Sequence, residues 1–234
     1  MKKAIVLNSG GVDSTTCVSL AVKELGKENV MTVSVYYGQK HSKELESAVK
    51  VAEYYGVEHK VIDLSSTGIM DDSNCPLLKN STEQIPEQSY AEQIEKNGKG
   101  MVTTYVPFRN GLMLSSIAAL AMARYPDDEV DIYLGAHADD AAGNAYADCS
   151  SEFTDAIGLA IFIGTYKKVH LKAPLVNLNK AGVVKLGLEL GTPYELTWSC
   201  YNGGDKPCGK CGTCIDRAEA FRLNGVEDPA LKGE

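Results

Sequence analysis

The sequence predicts an α/β protein built on a five-stranded, doubly wound parallel sheet, with a small cysteine-bearing segment at its C-terminal end. Three observations carry that reading. Strand-like apolar runs alternate with segments of helical spacing over most of the chain. The first run breaks into small polar residues, Asn8-Ser9-Gly10-Gly11-Val12-Asp13-Ser14, just where helical spacing begins. Four of the seven cysteines fall between Cys200 and Cys214.

Ala4 to Leu7 is the first strand. After the polar stretch, Val18, Ala21, Val22 and Leu25 recur as one face of a helix that Gly26 ends. Val30 to Tyr36 is rich in β-branched residues and reads as a buried strand. Leu45, Ala48, Val49 and Ala52 mark the next helix, closed by Gly56, and Val57 to Leu64 is a third strand. This rhythm argues for parallel strands joined by right-handed crossovers.

Between Ser65 and Val106 the periodicity fails. Asp71-Asp72-Ser73-Asn74, Asn80-Ser81-Thr82 and Lys96-Asn97-Gly98-Lys99-Gly100 are polar, and Pro76 and Pro86 break any element. So long a stretch is excessive for a passive connection. A lid that orders over a substrate is preferred to a disordered insert, because the sheet resumes directly after it. From Asn110, the residues Leu114, Ile117, Ala118 and Ala121 form an apolar helix, with Pro107 suited to its first turn. Val130 to Ala136 is the fourth strand, interrupted by Asp131. Ser151 to Thr165 is helical, and Val169 to Lys172 is a short edge strand. Asn179 caps a helix carrying Val183, Leu186 and Leu190, and a last short helix spans Arg217 to Leu223. The expected organisation is an α/β domain over 1–195, with a lid insertion at about 65–106, and a metal-binding segment over 196–234.

In such a sheet ligands sit beyond the C-terminal strand ends, where strand order reverses. The polar stretch after the first strand then meets Tyr37-Gly38-Gln39-Lys40-His41, Gly135 to Asp140 and Ala173-Pro174-Leu175. Its glycines permit close backbone approach, and the first amides of the helix lack internal partners at the positive end of the dipole. Ser9 and Ser14 add hydroxyls, while Asp13 can take a magnesium ion or cap the helix. An anion site outweighs a plain capped turn. Neither common phosphate-loop pattern, Gly-x-x-x-x-Gly-Lys-Ser/Thr or Gly-x-Gly-x-x-Gly, is present there.

Cys200-x7-Cys208-x2-Cys211-x2-Cys214 can close a tetrahedral thiolate shell, for structural zinc or for an iron–sulfur cluster. Arg109 falls near the mouth of the pocket, where its fork could grip a carboxylate or phosphate, or pair with a surface acid. His137, Asp139, Asp140, Asn144 and Asp148 suit a magnesium site, a polar base pocket or a solvated loop equally well. Cys17 reads as packing, and Cys149 is the thiol left open as reactive. His59 and His170 read as structural.

The composition is that of a soluble globular chain: 234 residues, 44% hydrophobic and 23% charged, with no apolar run of membrane length. The basic start Met1-Lys2-Lys3 is followed by too short an apolar run for a signal peptide, so a cytoplasmic location is expected. The formal net charge of −8 weighs against non-specific nucleic-acid binding.

SGGVDS resembles the signature of the ATP pyrophosphatases, which cleave ATP to AMP and pyrophosphate. With YYGQKHSKEL, TYVPFRN, GAHADDAAGNAYADCS, KAPLVNLNKAGV and TWSCYNGGDKPCGKCGTC in order over nearly the whole chain, it resembles the 7-cyano-7-deazaguanine synthases of the queuosine pathway. That resemblance implies a Rossmann-like fold of the adenine nucleotide alpha-hydrolase type. It implies conversion of 7-carboxy-7-deazaguanine and ammonia to the nitrile through adenylated intermediates. It also implies ATP, Mg²⁺ and structural Zn²⁺ as cofactors, and a homodimer. Carried over by position, Asn8, Ser9, Gly10, Gly11, Val12, Asp13, Ser14, Thr15 and Lys180 hold the nucleotide. Gln39, His41, Arg109, Asn110, Asp140 and Asp148 contact substrate. Asp13, Ser14 and Arg109 act in the chemistry, and Cys200, Cys208, Cys211 and Cys214 hold zinc. The resemblance departs at Ala147-Asp148-Cys149-Ser150, where many relatives read Pro-Asp-Cys-Arg. Arg109 or Lys168 is then the expected substitute for the missing arginine. Rival readings are another adenylating enzyme of the same fold, such as a tRNA thiolase, or a non-catalytic nucleotide- or zinc-binding protein.

Overall fold

Five parallel strands form one sheet in the order β3-β2-β1-β4-β5. They are β1 (Lys2–Leu7), β2 (Val30–Tyr36), β3 (Glu58–Asp63), β4 (Glu129–Tyr133) and β5 (Val169–Lys172). The structure, a computed structural model, describes residues 2–97 and 100–231. Gly98 and Lys99 of the polar insertion lie outside the described residues, as do Met1 of the basic start and 232–234 of the C-terminal segment.

Because β1 is central and its neighbours belong to different halves of the chain, strand order reverses between β1 and β4. Alternation along β1 sends Ile5 and Leu7 into one core and Ala4 and Val6 into the other. Buried on both faces, the strand can be apolar throughout. Helices α1 (Val12–Leu25) and α2 (Lys43–Tyr55) give Val12, Val18 and Val51 to the second core. On the opposite face α4 (Arg109–Arg124) buries Leu114, Ile117 and Ala121. Asp131, the charge that interrupts β4, lies between Lys2 and Lys172 at 3.0 and 3.2 Å.

The insertion is built into the domain. It contains α3 (Tyr90–Asn97) and sends Met70, Cys75, Leu77, Leu78, Val102 and Val106 into the first core. Antiparallel pairing of Gln39 with Leu78, with hydrogen bonds donated by the Lys40 amide to the Leu77 carbonyl and by the Lys79 amide to the Gly38 carbonyl, fastens it to the loop after β2. Pro107 precedes α4 rather than entering its first turn: the helix starts at Arg109, and Phe108 takes a left-handed φ of 50°. After α5 (Ala138–Ala141) come α6 (Ser151–Gly164) and α7 (Lys180–Leu190). Asn179 caps α7 by accepting from the Gly182 amide. The last helix, α8 (Gly212–Leu223), begins within the cysteine motif and is longer than expected. Its Arg217 forms a buried ion pair with Asp228 and binds the Tyr194 carbonyl, which fixes the C-terminal segment on the domain. No helix of the described residues is long and apolar enough to cross a membrane.

Candidate active site

A cleft of about 1250 Å³, counting its solvent-open part, lies over the strand reversal. One end is the loop after β1. Asn8 organises it: its side chain accepts the Gly10 amide at 2.9 Å and donates to the Ala48 carbonyl at 3.2 Å. Ser9 and Ser14 hydroxyls stand 3.1 Å apart. Gly10 has φ 76°, and a β-carbon there would lie 2.4 Å from the Glu44 carbonyl oxygen, so only glycine fits. No side chain caps α1, whose first amides have no intrahelical partners, an arrangement able to receive an anion. Gly135, after β4, lets that strand end come close: its β-carbon would lie 3.0 Å from the Ser14 nitrogen.

Asp13 neither caps the helix nor stands free. Lys180, the first residue of α7, donates to both its oxygens at 2.8 and 2.6 Å. Burial raises the Asp13 carboxyl, but the charges of Lys180 and His137 outweigh it and hold the group below its usual value. His137 Nε2 is 3.3 Å from Asp140, and the Lys180 amide binds Asp139. Burial pushes Asp140 up against the pull of His137 and Lys180. It likewise lifts Asp216, on α8, to about 6.

The other end is aromatic. Arg109 lies over the Tyr37 ring, 5.7 Å from its centroid, and donates to its hydroxyl at 3.3 Å. Its Nε is buried without a partner. Tyr90 and Tyr201 hydroxyls are 2.8 Å apart, and Tyr146 packs edge-on against Tyr90. Glu44, from the first turn of α2, also faces this recess.

Of the nucleotide residues expected from sequence, Asn8, Ser9, Gly11, Asp13, Ser14 and Lys180 line the cleft. Gly10 supports the loop from behind, while Val12 and Thr15 are buried inside the helix packing. Of the expected substrate contacts, Gln39, Arg109, Asn110 and Asp140 line the cleft. His41 stands outside it, packed against Gly203. Asp148 is also outside the lining: it accepts the Asn110 amide at 2.9 Å and so anchors the start of α4. Ser150 caps α6 through the Phe153 amide. Lys168 binds the Pro126 carbonyl, at the entrance to β4 and far from the strand reversal. Arg109 is therefore the one of the two proposed substitutes that lines the cleft. Burial first, then Asp140 and Asp148, push the Cys149 thiol well above its ordinary value, an inert setting.

The C-terminal segment does more than staple the chain's end. It contributes Trp198, Ser199, Tyr201, Thr213 and Asp216 to the cleft, and the Trp198 amide donates to the Gly10 carbonyl at 2.9 Å. Glu44 stands in YYGQKHSKEL, and all of these residues but Asp216 in TWSCYNGGDKPCGKCGTC, but only the folded chain shows that they share one cleft. The four cysteines are all free, and their sulfurs lie within 4.8 Å of one another. A tetrahedral zinc with sulfurs at about 2.3 Å requires such a cluster. Backbone amides of Asn202, Lys210 and Cys211 point at these sulfurs, which suits thiolates. The donor set fits a four-thiolate metal.

Sheet, loop and cleft define an α/β protein whose cleft, with an uncapped helix start at one end, lies at the switch point of a parallel sheet. The chain belongs to the family described as queuosine biosynthesis protein QueC, whose model matches residues 3–225. It is 41% identical to the 7-cyano-7-deazaguanine synthase of Archaeoglobus fulgidus over 99% of this chain and 91% of that one. It is 43% identical to that of Caldicellulosiruptor saccharolyticus, over 97% and 94%. It is thus a member of an enzyme family. Among solved structures, the NH3-dependent NAD synthetase of Campylobacter jejuni subsp. jejuni aligns over 83% of this chain and 66% of that one, with 16% identity and a TM-score of 0.46.

Proposed function

We propose that this chain converts 7-carboxy-7-deazaguanine and ammonia to 7-cyano-7-deazaguanine, with ATP cleaved to AMP and pyrophosphate. The observation that carries the reading is a single cleft joining an amide-lined anion loop to a recess where Arg109 has no carboxylate partner. Family membership supplies the identity of the substrate.

In the first step the substrate carboxylate attacks the α-phosphorus, and the bond to pyrophosphate breaks. The open amides of α1 and the Ser9 and Ser14 hydroxyls meet charge growing on the departing pyrophosphate. Lys180, held by Asp13, adds a cation at the same end. Ammonia then displaces AMP to give the amide. The amide oxygen then attacks the α-phosphorus of a second ATP, releasing pyrophosphate, and loss of AMP and of the two N–H protons leaves the nitrile. Arg109 orients the carboxylate, which takes over the task of the arginine missing at Ser150. The chain's main contribution is positioning in a cleft walled from water by the insertion, acting as a lid, and by the C-terminal segment.

Magnesium commonly binds one or two carboxylates together with nucleotide phosphates, a pattern that Asp140 and Asp216 fit. It supplies charge neutralisation when bound. Structural zinc is assigned to Cys200, Cys208, Cys211 and Cys214. We read the protein as a cytoplasmic homodimer that acts on free small molecules and not on nucleic acid. The exposed strip of Leu159, Ile163 and Tyr166, on and just after α6, is a face that a second copy would cover.

The test is a mass-spectrometric assay with ATP, Mg²⁺, ammonium and 7-carboxy-7-deazaguanine. The expected products are the nitrile, AMP and pyrophosphate. Formation of ADP, or an unconsumed deazaguanine, overturns the reading.

A further inference from the structure

One charged group of the cleft has no task in the proposed reaction. Glu44 lines the recess from the first turn of α2. Among the described residues its carboxylate has no hydrogen-bond or ion-pair partner, only the more distant field of Arg109. Arg109 in turn leaves its buried Nε unpaired and spends Nη1 on the Tyr37 hydroxyl. Burial pushes the Glu44 carboxyl up to about 7, with Arg109 pulling the other way. Two opposite charges in one recess, both partly withdrawn from water and not in contact, are costly for a stable fold. They suit a ligand that lies between them and offers donors to one and an anion to the other.

We infer that Glu44 reads the Watson–Crick edge of the deazaguanine, accepting from N1–H and the 2-amino group, while Arg109 takes the carboxylate on the ring's far side. This rests on the reaction proposed above and names the residue that selects its base. An ionised carboxylate only accepts. The deazaguanine edge offers two adjacent donors, which match its two oxygens. The edge of adenine sets an acceptor, N1, beside its amino donor, so a carboxylate there meets one bond and one repulsion. ATP is therefore the poorer occupant for Glu44. Tyr37 and Tyr201, which line the same recess, provide ring faces for the heterocycle.

Glu44→Gln keeps the shape of the side chain and replaces one acceptor by a donor. Isothermal titration of the full chain with 7-carboxy-7-deazaguanine, its analogue lacking the 2-amino group, and ATP separates the possibilities. Wild type is expected to bind the analogue about 30-fold more weakly than the substrate, the size of a lost bond to a charged group. E44Q is expected to bind the substrate about 30-fold more weakly and to treat substrate and analogue alike, with ATP affinity unchanged. Undiminished discrimination in E44Q overturns the inference, as does a loss of ATP affinity in step with the substrate. If wild type turns over the deazaguanine while E44Q still discriminates, only the role of Glu44 falls. If wild type neither binds nor consumes it, the reaction falls and the inference with it.

Discussion

Lys180 donates to both carboxylate oxygens of Asp13, at 2.8 and 2.6 Å, across 167 residues of sequence. Each residue sits at the first turn of its helix, α1 or α7, so the pair locks two helix starts beside one anion site. Both side chains are less than a quarter exposed. Lys180→Ala leaves a mostly buried carboxylate with only His137, 3.8 Å away, beside it and is expected to cost about 3 kcal/mol of stability. AMP release should fall by about 100-fold or more. Asp13→Ala should also abolish AMP release while the fold survives. Denaturation curves and AMP assays check both, and normal turnover in either variant removes the pair from the phosphate end. The pH dependence follows from sign. A carboxyl held below its unfolded value contributes stability above that value, near pH 4, and loses it as pH falls through the folded one. The deficit of Lys180→Ala against wild type should therefore be largest at pH 8, shrink as pH falls through the value to which burial raises the carboxyl once Lys180 is gone, and go on shrinking below about pH 4 as wild type loses its own contribution.

Gly10 offers a sharper test of the loop. A β-carbon there meets backbone, 2.4 Å from the Glu44 oxygen and 2.6 Å from the Ala48 nitrogen. Gly191 has a similar φ, 69° against 76°, but open space around it. Gly191→Ala should cost about 1 kcal/mol, from left-handed strain alone. Gly10→Ala should cost about 3 kcal/mol or more and displace α2 from the loop. Equal losses in urea titrations of the two variants would mean that the close approach of α2 to the loop is unimportant.

Much of this architecture was legible because it is local. Val30 to Tyr36 matches β2 at both ends, and Asn179 and Gly191 mark α7 by their own cap chemistry. The insertion was opaque because its order comes from distant partners: Leu78 pairs with Gln39, and Met70 and Val102 join a core made by other elements. The start of α8 was hidden because Cys211 to Cys214 read as metal loop, whereas Cys214 lies on the helix. The phosphate end announced itself through clustered small residues. The recess did not, since Glu44, Arg109 and Tyr201 come from three separate segments; YYGQKHSKEL contains Glu44, but only the fold shows that Glu44, and not His41 of the same segment, faces the cleft.

Metal removal should affect more than the C-terminal segment. Cys200 and Cys211 flank Trp198, Ser199, Tyr201 and Thr213, which wall the cleft. About one zinc per chain is expected from elemental analysis. Chelation, or Cys211→Ser, should lower the unfolding temperature and weaken ATP binding together, because Trp198 is tied to the Gly10 carbonyl. Unaltered ATP affinity in metal-free protein would reduce the segment to a staple. Iron with visible absorbance would assign the thiolates to a cluster.

Glu44 gives the opposite pH signature to Asp13. Its folded value, about 7, lies above the unfolded value near 4.3, so the native state holds a proton that the unfolded chain has already lost. Stability then declines as pH rises from about 4.5 to about 7 and stays lowered above that. The charged and titratable groups facing the side chain are Arg109, which draws the value down, and the hydroxyls of Tyr37 and Tyr201, which feel its charge. Glu44→Gln removes the titration and should stabilise the unliganded protein by about 2 kcal/mol at pH 8, with no gain at pH 4.5. Thermal unfolding at the two pH values checks this, and a gain of equal size at both would show that burial of the charge is not its source. A variant that is more stable at pH 8 yet poorer at binding the deazaguanine would tie the cost of Glu44 to recognition, since a structural carboxylate would lose stability when replaced.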